Sequence, residues 1–407
     1  MKSQMAAPLA IVISGVAGSG KSTLGRAVAR HLGSPLLDLD SITNPLLDAL
    51  FGVDNPDTPH WLAVEPTIGV RNARYAALRT VAHDQIETAR NVVLVAPFTG
   101  ELQGGVEWDQ LVDALHPARV EVFHLTGEPT VFESRRAKRA IERDLHRDNT
   151  SQSGDPQVPH HLLDAELSVV QQAHRVLLHL GIRRNLDSQH QLFEQRFDAV
   201  LFDLDGTLVD STASVNRSWR RFAEHYGVSA QKLAENHGKT AKNLVEILLP
   251  SELQDEGLEL ITDLEVKDAV GLRPVPGAHK FFHALDPDRR AVVTSGSIPI
   301  ATARLTTANF TIPEVTVTAN HVSRGKPDPE PFLTAARKLG VSPERCLVFE
   351  DAPAGITAAR KAGCSVVALS GTVTDAELAD ADIIIDGFDQ LAIDSSSGQV
   401  RLVLTKS

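Results

Sequence analysis

Ala199-Val-Leu-Phe202-Asp203-Leu-Asp205-Gly206-Thr207-Leu-Val-Asp210 is the stretch whose reading decides the second half of this chain. Four apolar residues with no polar interruption predict a short strand buried on both faces, and a glycine turn follows directly. Side chains alternate along an extended chain, so two acids spaced two apart at a strand end face one crevice. Asp203 is the candidate acceptor of a phosphoryl group, and such an acceptor needs a divalent cation to offset repulsion from an anionic substrate. Asp205 can then protonate a leaving oxygen and later take a proton from the attacking water.

Working outward, similar short strands are expected at Ala291–Thr294, Val315–Thr318, Cys346–Phe349, Ser365–Leu369 and Ile383–Ile385. Residues from about 214 to 272 carry a helical pattern and no convincing strand, which predicts an inserted helical cap just beyond the catalytic strand. In the first half the strand candidates are Ile11–Ser14, Pro35–Asp38, Asn91–Ala96 and Arg119–His124, with helices at about Val70–Ala89, Glu128–Arg147 and His161–Leu180. The polar run Asp148–His160 predicts a loop. Alternation of this kind implies α/β architecture, with two parallel-sheet, three-layer domains. A chain of 407 residues is long for one core, so two domains are the default. The expected division is residues 1–187, a linker over 188–196, a second domain over 197–395 and a C-terminal tail over 396–407.

Composition bounds the partners. Residues 1–190 hold 18 Lys and Arg against 22 Asp and Glu, and the remainder 22 against 30. Two acidic halves argue against a general nucleic-acid surface. The early apolar run Pro8–Ser14 is far too short to span a bilayer, so no membrane role is expected. Only two cysteines occur, Cys346 and Cys364, in apolar segments, and no secretory leader is legible, so a reducing cytoplasm is expected.

The Asp203–Asp210 string resembles the first motif of the haloacid dehalogenase superfamily of phosphohydrolases, and three further motifs follow in order. Thr294 in AVVTSGS resembles the second, whose hydroxyl binds the transferring group. Lys326 in RGKPDPEPF resembles the third, a cation offsetting charge on nucleophile and phosphate. Glu350 and Asp351 in VFEDAPAGITAARKAG resemble the fourth, where acids complete a Mg²⁺ site with Asp203 and Asp205. DGTLVDSTASVNRSW, ENHGKTAKNLVEILLP, VPGAHKFFHAL and TSGS together look like the glycerol-phosphate and 2-deoxyglucose-6-phosphate phosphatases. That resemblance implies a small sugar or polyol phosphate as substrate, reached from the cap by His237, Gly238 and Lys239 and held by the N–H groups of Ser295 and Gly296. His237 equally suits the end of a cap helix, and Ser295-Gly296 a plain turn.

Gly15-Val-Ala-Gly18-Ser19-Gly20-Lys21-Ser22-Thr23 lies between a short apolar strand and a helical pattern, the context a phosphate-cradling loop needs. Its glycines admit the backbone to phosphate, Lys21 pairs with β and γ oxygens, and Ser22 ligates Mg²⁺; ATP is the expected ligand, and the motif alone leaves GTP open. GSGKSTLGRAVARHLG is similar to small P-loop metabolite kinases of the gluconate kinase type. Asp38 and Asp40 after the second strand could orient or deprotonate an acceptor hydroxyl. Arg135, Arg139 and Arg143 recur on one helix face with Arg136 beside them, able to close over phosphates or simply to form a solvated face. The strand NVVLVAPF lacks the terminal Asp of a standard second nucleotide motif, and Arg71 and Arg74 have no assigned role.

The expected protein is a bifunctional phosphatase and kinase acting on small phosphorylated metabolites and ATP. Two alternatives stay open at this level: polynucleotide end repair, which an enclosing cap disfavours, and a phosphatase with a regulatory nucleotide-binding domain. The sequence leaves the oligomeric state open.

Overall fold

The computed structural model describes residues 7–51, 68–139, 155–229, 232–233, 240–396 and 398–405. Two compact units divide between Leu177 and Leu178.

In the first unit, β1 (Leu9–Gly15), β2 (Leu36–Asp38), β3 (Asn91–Val95), β4 (Arg119–Thr126) and β5 (His161–Asp164) form one parallel sheet in the order β2-β3-β1-β4-β5. Central β1 is apolar because both of its faces are covered, with Ala10 to Ile13 fully buried. The helices are α1 (Lys21–Leu32), α2 (Leu39–Phe51), α3 (Ile68–Ala89), α4 (Val106–Leu115), α5 (Pro129–Arg139) and α6 (Val169–His179). The helix expected over His161–Leu180 is corrected: His161–Asp164 pairs with β4 as a fifth strand, and the helix begins only at Val169. Edge pairing to Phe123–Thr126 outweighs the weak strand preference of His-Leu-Leu-Asp.

In the second unit, β6 (Ala199–Phe202), β7 (Arg290–Val293), β8 (Thr316–Val317), β9 (Cys346–Glu350), β10 (Ser365–Leu369) and β11 (Ile383–Ile385) form a parallel sheet in the order β11-β10-β9-β6-β7-β8. Period-2 alternation divides β6 between two cores. Val200 and Phe202 enter one with Phe282, Phe349 and Phe388, while Ala199 and Leu201 enter the other with Val348, Phe332 and Ile356. The rings of Phe202 and Phe349 stack with centroids 5.4 Å apart. Each such fully buried ring contributes roughly 1.5–3 kcal/mol of transfer free energy, which anchors the strand ends where the acids emerge.

The insertion after β6 is helical as expected: α7 (Thr212–Tyr226), α8 (Ala241–Leu248) and α9 (Gln254–Lys267) close over a small core of Trp219, Phe222, Leu244, Val245 and Ile261. Helices α10 (Ala278–His283), α11 (Ile298–Thr307), α12 (Glu330–Leu339) and α13 (Pro353–Ala362) flank the sheet.

Two boundaries are corrected. The span 188–196, expected as a linker, packs onto the second unit: Leu192 is buried in its core with Phe193 against it, and upstream Arg184 pairs with Asp375 and Asp386. The expected tail is structural, because β12 (Leu391–Asp394) and β13 (Arg401–Leu404) form an antiparallel pair and Leu402 is fully buried. Alternation in Arg-Leu-Val-Leu carries that signal, in a run too short to read alone. Among the described residues no helix is long and apolar enough to cross a membrane.

Candidate active site

Register builds the first site. Phe202 lies opposite Phe349 and Val292, so Asp203, Glu350 and Thr294 leave three adjacent parallel strands at the same edge. The backbone N–H of Asp203 donates to Phe349 O at 2.9 Å, extending the ladder to the functional residue itself. Lys326 arrives from the loop after β8 and donates to Asp203 Oδ1 at 2.5 Å, Glu350 Oε1 at 2.6 Å and Val293 O at 3.0 Å. These three bonds use all three ammonium protons, so the amine is fixed rather than mobile. Thr294 is buried, and Gly296 N–H, expected to face phosphate with Ser295, donates here to Thr294 Oγ1 at 3.0 Å.

Glu350 Oε2 accepts the N–H groups of Asp351 and Ala352 at 2.9 and 3.0 Å. Asp351 Oδ2 accepts from Thr372 Oγ1 at 2.6 Å, and its Oδ1 from Thr207 Oγ1 at 3.4 Å. Gly206 makes room for this: at φ 82° it occupies the left-handed region, and a Cβ there would stand 2.0 Å from Asp351 Oδ2.

Asp203, Glu350 and Asp351 are buried and each presents an oxygen within 4.8 Å of the others. One ammonium among three buried carboxylates leaves the site short of positive charge, and hard oxygen donors suit a divalent cation of the Mg²⁺ kind. Burial drives the Asp203 pKa well above the usual carboxylate range, with Glu350, Asp351 and Asp205 pushing the same way and Lys326 opposing. Burial, then Glu350, lifts Asp351 to about 7. Burial alone would lower Lys326, but Asp203 and Glu350 raise it above its ordinary value, so it stays charged.

The Asp205 carboxylate lies outside that group of side-chain oxygens. Its Oδ1 accepts from Ser211 Oγ at 2.5 Å and its Oδ2 from Arg304, whose other arm reaches Glu265 on cap helix α9 at 2.8 Å. Sequence reasoning missed Arg304, Ser211, Glu265, Thr207 and Thr372. Arg304 had a signal: it follows Ile300 by four and precedes Leu305 on the buried face of α11, where an unexplained charge is notable. His237, Gly238 and Lys239 lie outside the described residues.

The second site lies where β1 meets α1. Gly18 and Gly20 take φ 86° and 97°, and Lys21 Nζ donates to Val16 O at 3.4 Å. A Cβ at Gly18 would stand 2.6 Å from Phe132 O, so α5 packs hard against the loop. From that helix Arg136 donates to Ala17 O at 3.0 Å and Arg135 to Ser19 O at 3.4 Å, which brings two of the expected arginines to the loop. Arg139 lies in α5 with no side-chain placement described, and Arg143 lies outside the described residues. Gly15 ends β1, and Ser22 and Thr23 open α1, as the loop pattern requires. The Oγ of buried Ser19 has no partner among the described residues. Asp38 ends β2 and accepts the Asp40 N–H at 3.1 Å; Asp40 accepts from Arg74 at 2.8 Å, and Arg74 also reaches Thr43 and Asn44. Arg74 thereby acquires a position beside the acceptor candidates that its sequence context did not reveal.

A strand-end aspartate, a fixed lysine and a buried acid cluster mark a phosphoric monoester hydrolase, joined to a kinase-like P-loop domain. Residues 197–363 match the haloacid dehalogenase-like hydrolase family model, and residues 11–171 match an AAA domain model. Hexitol phosphatase A of Escherichia coli is 37% identical over 204 residues, covering 94% of that protein and 49% of this chain. Validoxylamine A 7'-phosphate phosphatase of Streptomyces hygroscopicus is 37% identical over 198 residues, 93% of that protein and 46% of this chain. Glycerol-1-phosphate phosphohydrolase 2 of Saccharomyces cerevisiae is 32% identical over 190 residues, covering 76% of it and 44% of this chain. The chain belongs to the haloacid dehalogenase-like hydrolase family.

Proposed function

We propose that the second unit is a Mg²⁺-dependent phosphatase of small sugar or polyol phosphates working through an aspartyl-phosphate, and that the first is an ATP-dependent small-metabolite kinase. The observation that carries the phosphatase reading is Lys326 bridging Asp203 and Glu350 inside a buried acid cluster at the ends of β6 and β9. Asp203 Oδ attacks phosphorus, the P–O bond to the alcohol breaks, and Asp205 gives the leaving oxygen its proton. Water then attacks the acyl phosphate, Asp205 takes its proton back, and inorganic phosphate leaves with Asp203 regenerated. Lys326 and the Thr294 hydroxyl offset charge on the transferring group. Mg²⁺, held by Asp203, Glu350 and Asp351, would lower the Asp203 pKa and screen nucleophile from substrate. The relatives named above, which act on small phosphorylated compounds, support this substrate class.

In the kinase reading, Gly15, Gly18, Ser19, Gly20, Lys21, Ser22 and Thr23 hold ATP phosphates with Arg135 and Arg139 closing over them. Asp38 and Asp40 orient the acceptor hydroxyl, and Ser22 offers its oxygen to the nucleotide's Mg²⁺. The buried thiols of Cys346 and Cys364 suit a reducing cytoplasm.

The test is phosphate release with Mg²⁺ from sugar, polyol and nucleotide phosphates and a 3′-phosphorylated oligonucleotide, comparing the wild-type chain with Asp203→Asn. Cleavage of small sugar or polyol phosphates by the wild type alone is expected. Preference for the oligonucleotide, or an active Asp203→Asn, overturns the assignment.

A further inference from the structure

Arg304 has side-chain exposure of 2%, and it divides one guanidinium between two carboxylates from different parts of the second unit. One arm holds Asp205 at the strand end. The other holds Glu265 on cap helix α9, which is itself nearly buried and also accepts from Trp219 of cap helix α7. With Ser211 on Oδ1 and Arg304 on Oδ2, both Asp205 oxygens accept hydrogen bonds. Both oxygens are turned to fixed partners, Oδ2 to a guanidinium that only donates, so this orientation is one of rest. To protonate a leaving group Asp205 must let Arg304 go.

We propose that Glu265 is the counter-ion that allows this, making Glu265 and Arg304 positioning residues through which the cap governs the acid–base carboxylate. The proposal rests on the phosphatase reading above. When Asp205 turns to the substrate, Arg304 keeps one carboxylate partner, so no buried cation is left unpaired. Without Glu265, releasing Asp205 would strand the guanidinium in the interior, and Asp205 would stay held. The arrangement therefore ties the readiness of the acid to the seating of a helix that contributes no reacting atom. The Nε of Arg304 has no partner among the described residues, so the two carboxylates carry its pairing.

The test uses the full chain with two substrates that differ in leaving group: glycerol phosphate, whose alkoxide must be protonated, and p-nitrophenyl phosphate, whose phenolate leaves without help. Glu265→Gln, which preserves volume, is expected to slow kcat on the alkyl ester about tenfold, a fraction of the 10²–10⁴ that general acid catalysis supplies. The aryl ester should be nearly untouched. In an Arg304→Met background, where the guanidinium no longer holds Asp205, Glu265→Gln should add no further change to the alkyl-to-aryl ratio. Equal losses on both esters, unchanged rates on both, or additive effects in the double variant overturn the proposal. Should Arg304→Met fail to fold, Glu265→Gln alone decides through the alkyl-to-aryl ratio. A wild-type chain that cleaves neither ester overturns the phosphatase reading itself, an outcome separable from the others because it appears before any substitution.

Discussion

Lys326 Nζ stands 2.5 Å from Asp203 Oδ1 and 2.6 Å from Glu350 Oε1, so one buried ammonium ties Asp203 to the neighbouring strand's acid. Lys326→Met removes the cation that, among the described residues, pairs with Asp203, and leaves buried carboxylates facing one another. Phosphate release is expected to fall on the order of 10²-fold or more. Thermal stability should fall most in EDTA and recover partly with Mg²⁺, because the cation then supplies the missing charge. Phosphatase rates and melting curves with and without metal check this; an active, equally stable variant removes Lys326 from the mechanism.

The acid cluster also predicts how stability depends on pH. Asp351 has its pKa lifted to about 7 by burial and Glu350, against 3.8 for the unperturbed group. A folded-state pKa above the unfolded one means the native state binds more protons between those values. Its contribution is fully present below about pH 4 and is lost as pH rises through about 7. In metal-free protein the second unit should therefore melt lower as pH rises from 5 to 8, and Asp351→Asn should flatten that slope. Mg²⁺ should stabilise most at the upper end, where the ligands are ionised. Denaturation in EDTA and in Mg²⁺ across this range decides it; an Asp351→Asn slope identical to wild type counts against the electrostatic account.

What was legible in the sequence was what local chemistry encodes. Asp203, Thr294, Lys326 and Glu350 are each adjacent to an apolar strand or a marked loop, and parallel register does the rest by bringing their strand ends to one edge. Arg304 and Glu265 were not legible, because their roles come from a contact between a core helix and a cap helix 39 residues apart, which no spacing rule reports. Thr372 likewise reaches Asp351 from beyond β10, with no motif of its own. The fifth strand of the first sheet was misread because edge pairing, not intrinsic preference, holds His161–Asp164 extended.

Gly206 supplies a steric test of the same site. At φ 82° a side chain is strained, and a Cβ would lie 2.0 Å from the Asp351 carboxylate that Thr372 holds. Gly206→Ala is expected to destabilise the second unit by roughly 1–3 kcal/mol and to displace Asp351, raising the Mg²⁺ concentration needed for half-maximal activity. Chemical denaturation and a metal titration measure the two effects separately. A variant with wild-type stability and metal dependence would mean that the loop relaxes freely.

The P-loop reading stands on comparable geometry and can be tested in the same way. Gly18 at φ 86° brings the backbone so close to α5 that a Cβ would meet Phe132 O at 2.6 Å, while Arg136 from that helix holds Ala17 O. Gly18→Ala must push the loop and the helix apart, and Lys21→Ala removes the charge that would meet the β and γ oxygens. Each is expected to weaken ATP binding, measured by calorimetry on the full chain, by about 10-fold or more, a cost of roughly 1.4 kcal/mol. The Gly18 change should act through position and so weaken ADP as well. The Lys21 change should weaken ATP more than ADP, because one of its two phosphate partners is absent from the diphosphate. Equal losses for both nucleotides with Lys21→Ala would place the lysine away from the γ-phosphate and remove the support for phosphoryl transfer by this loop.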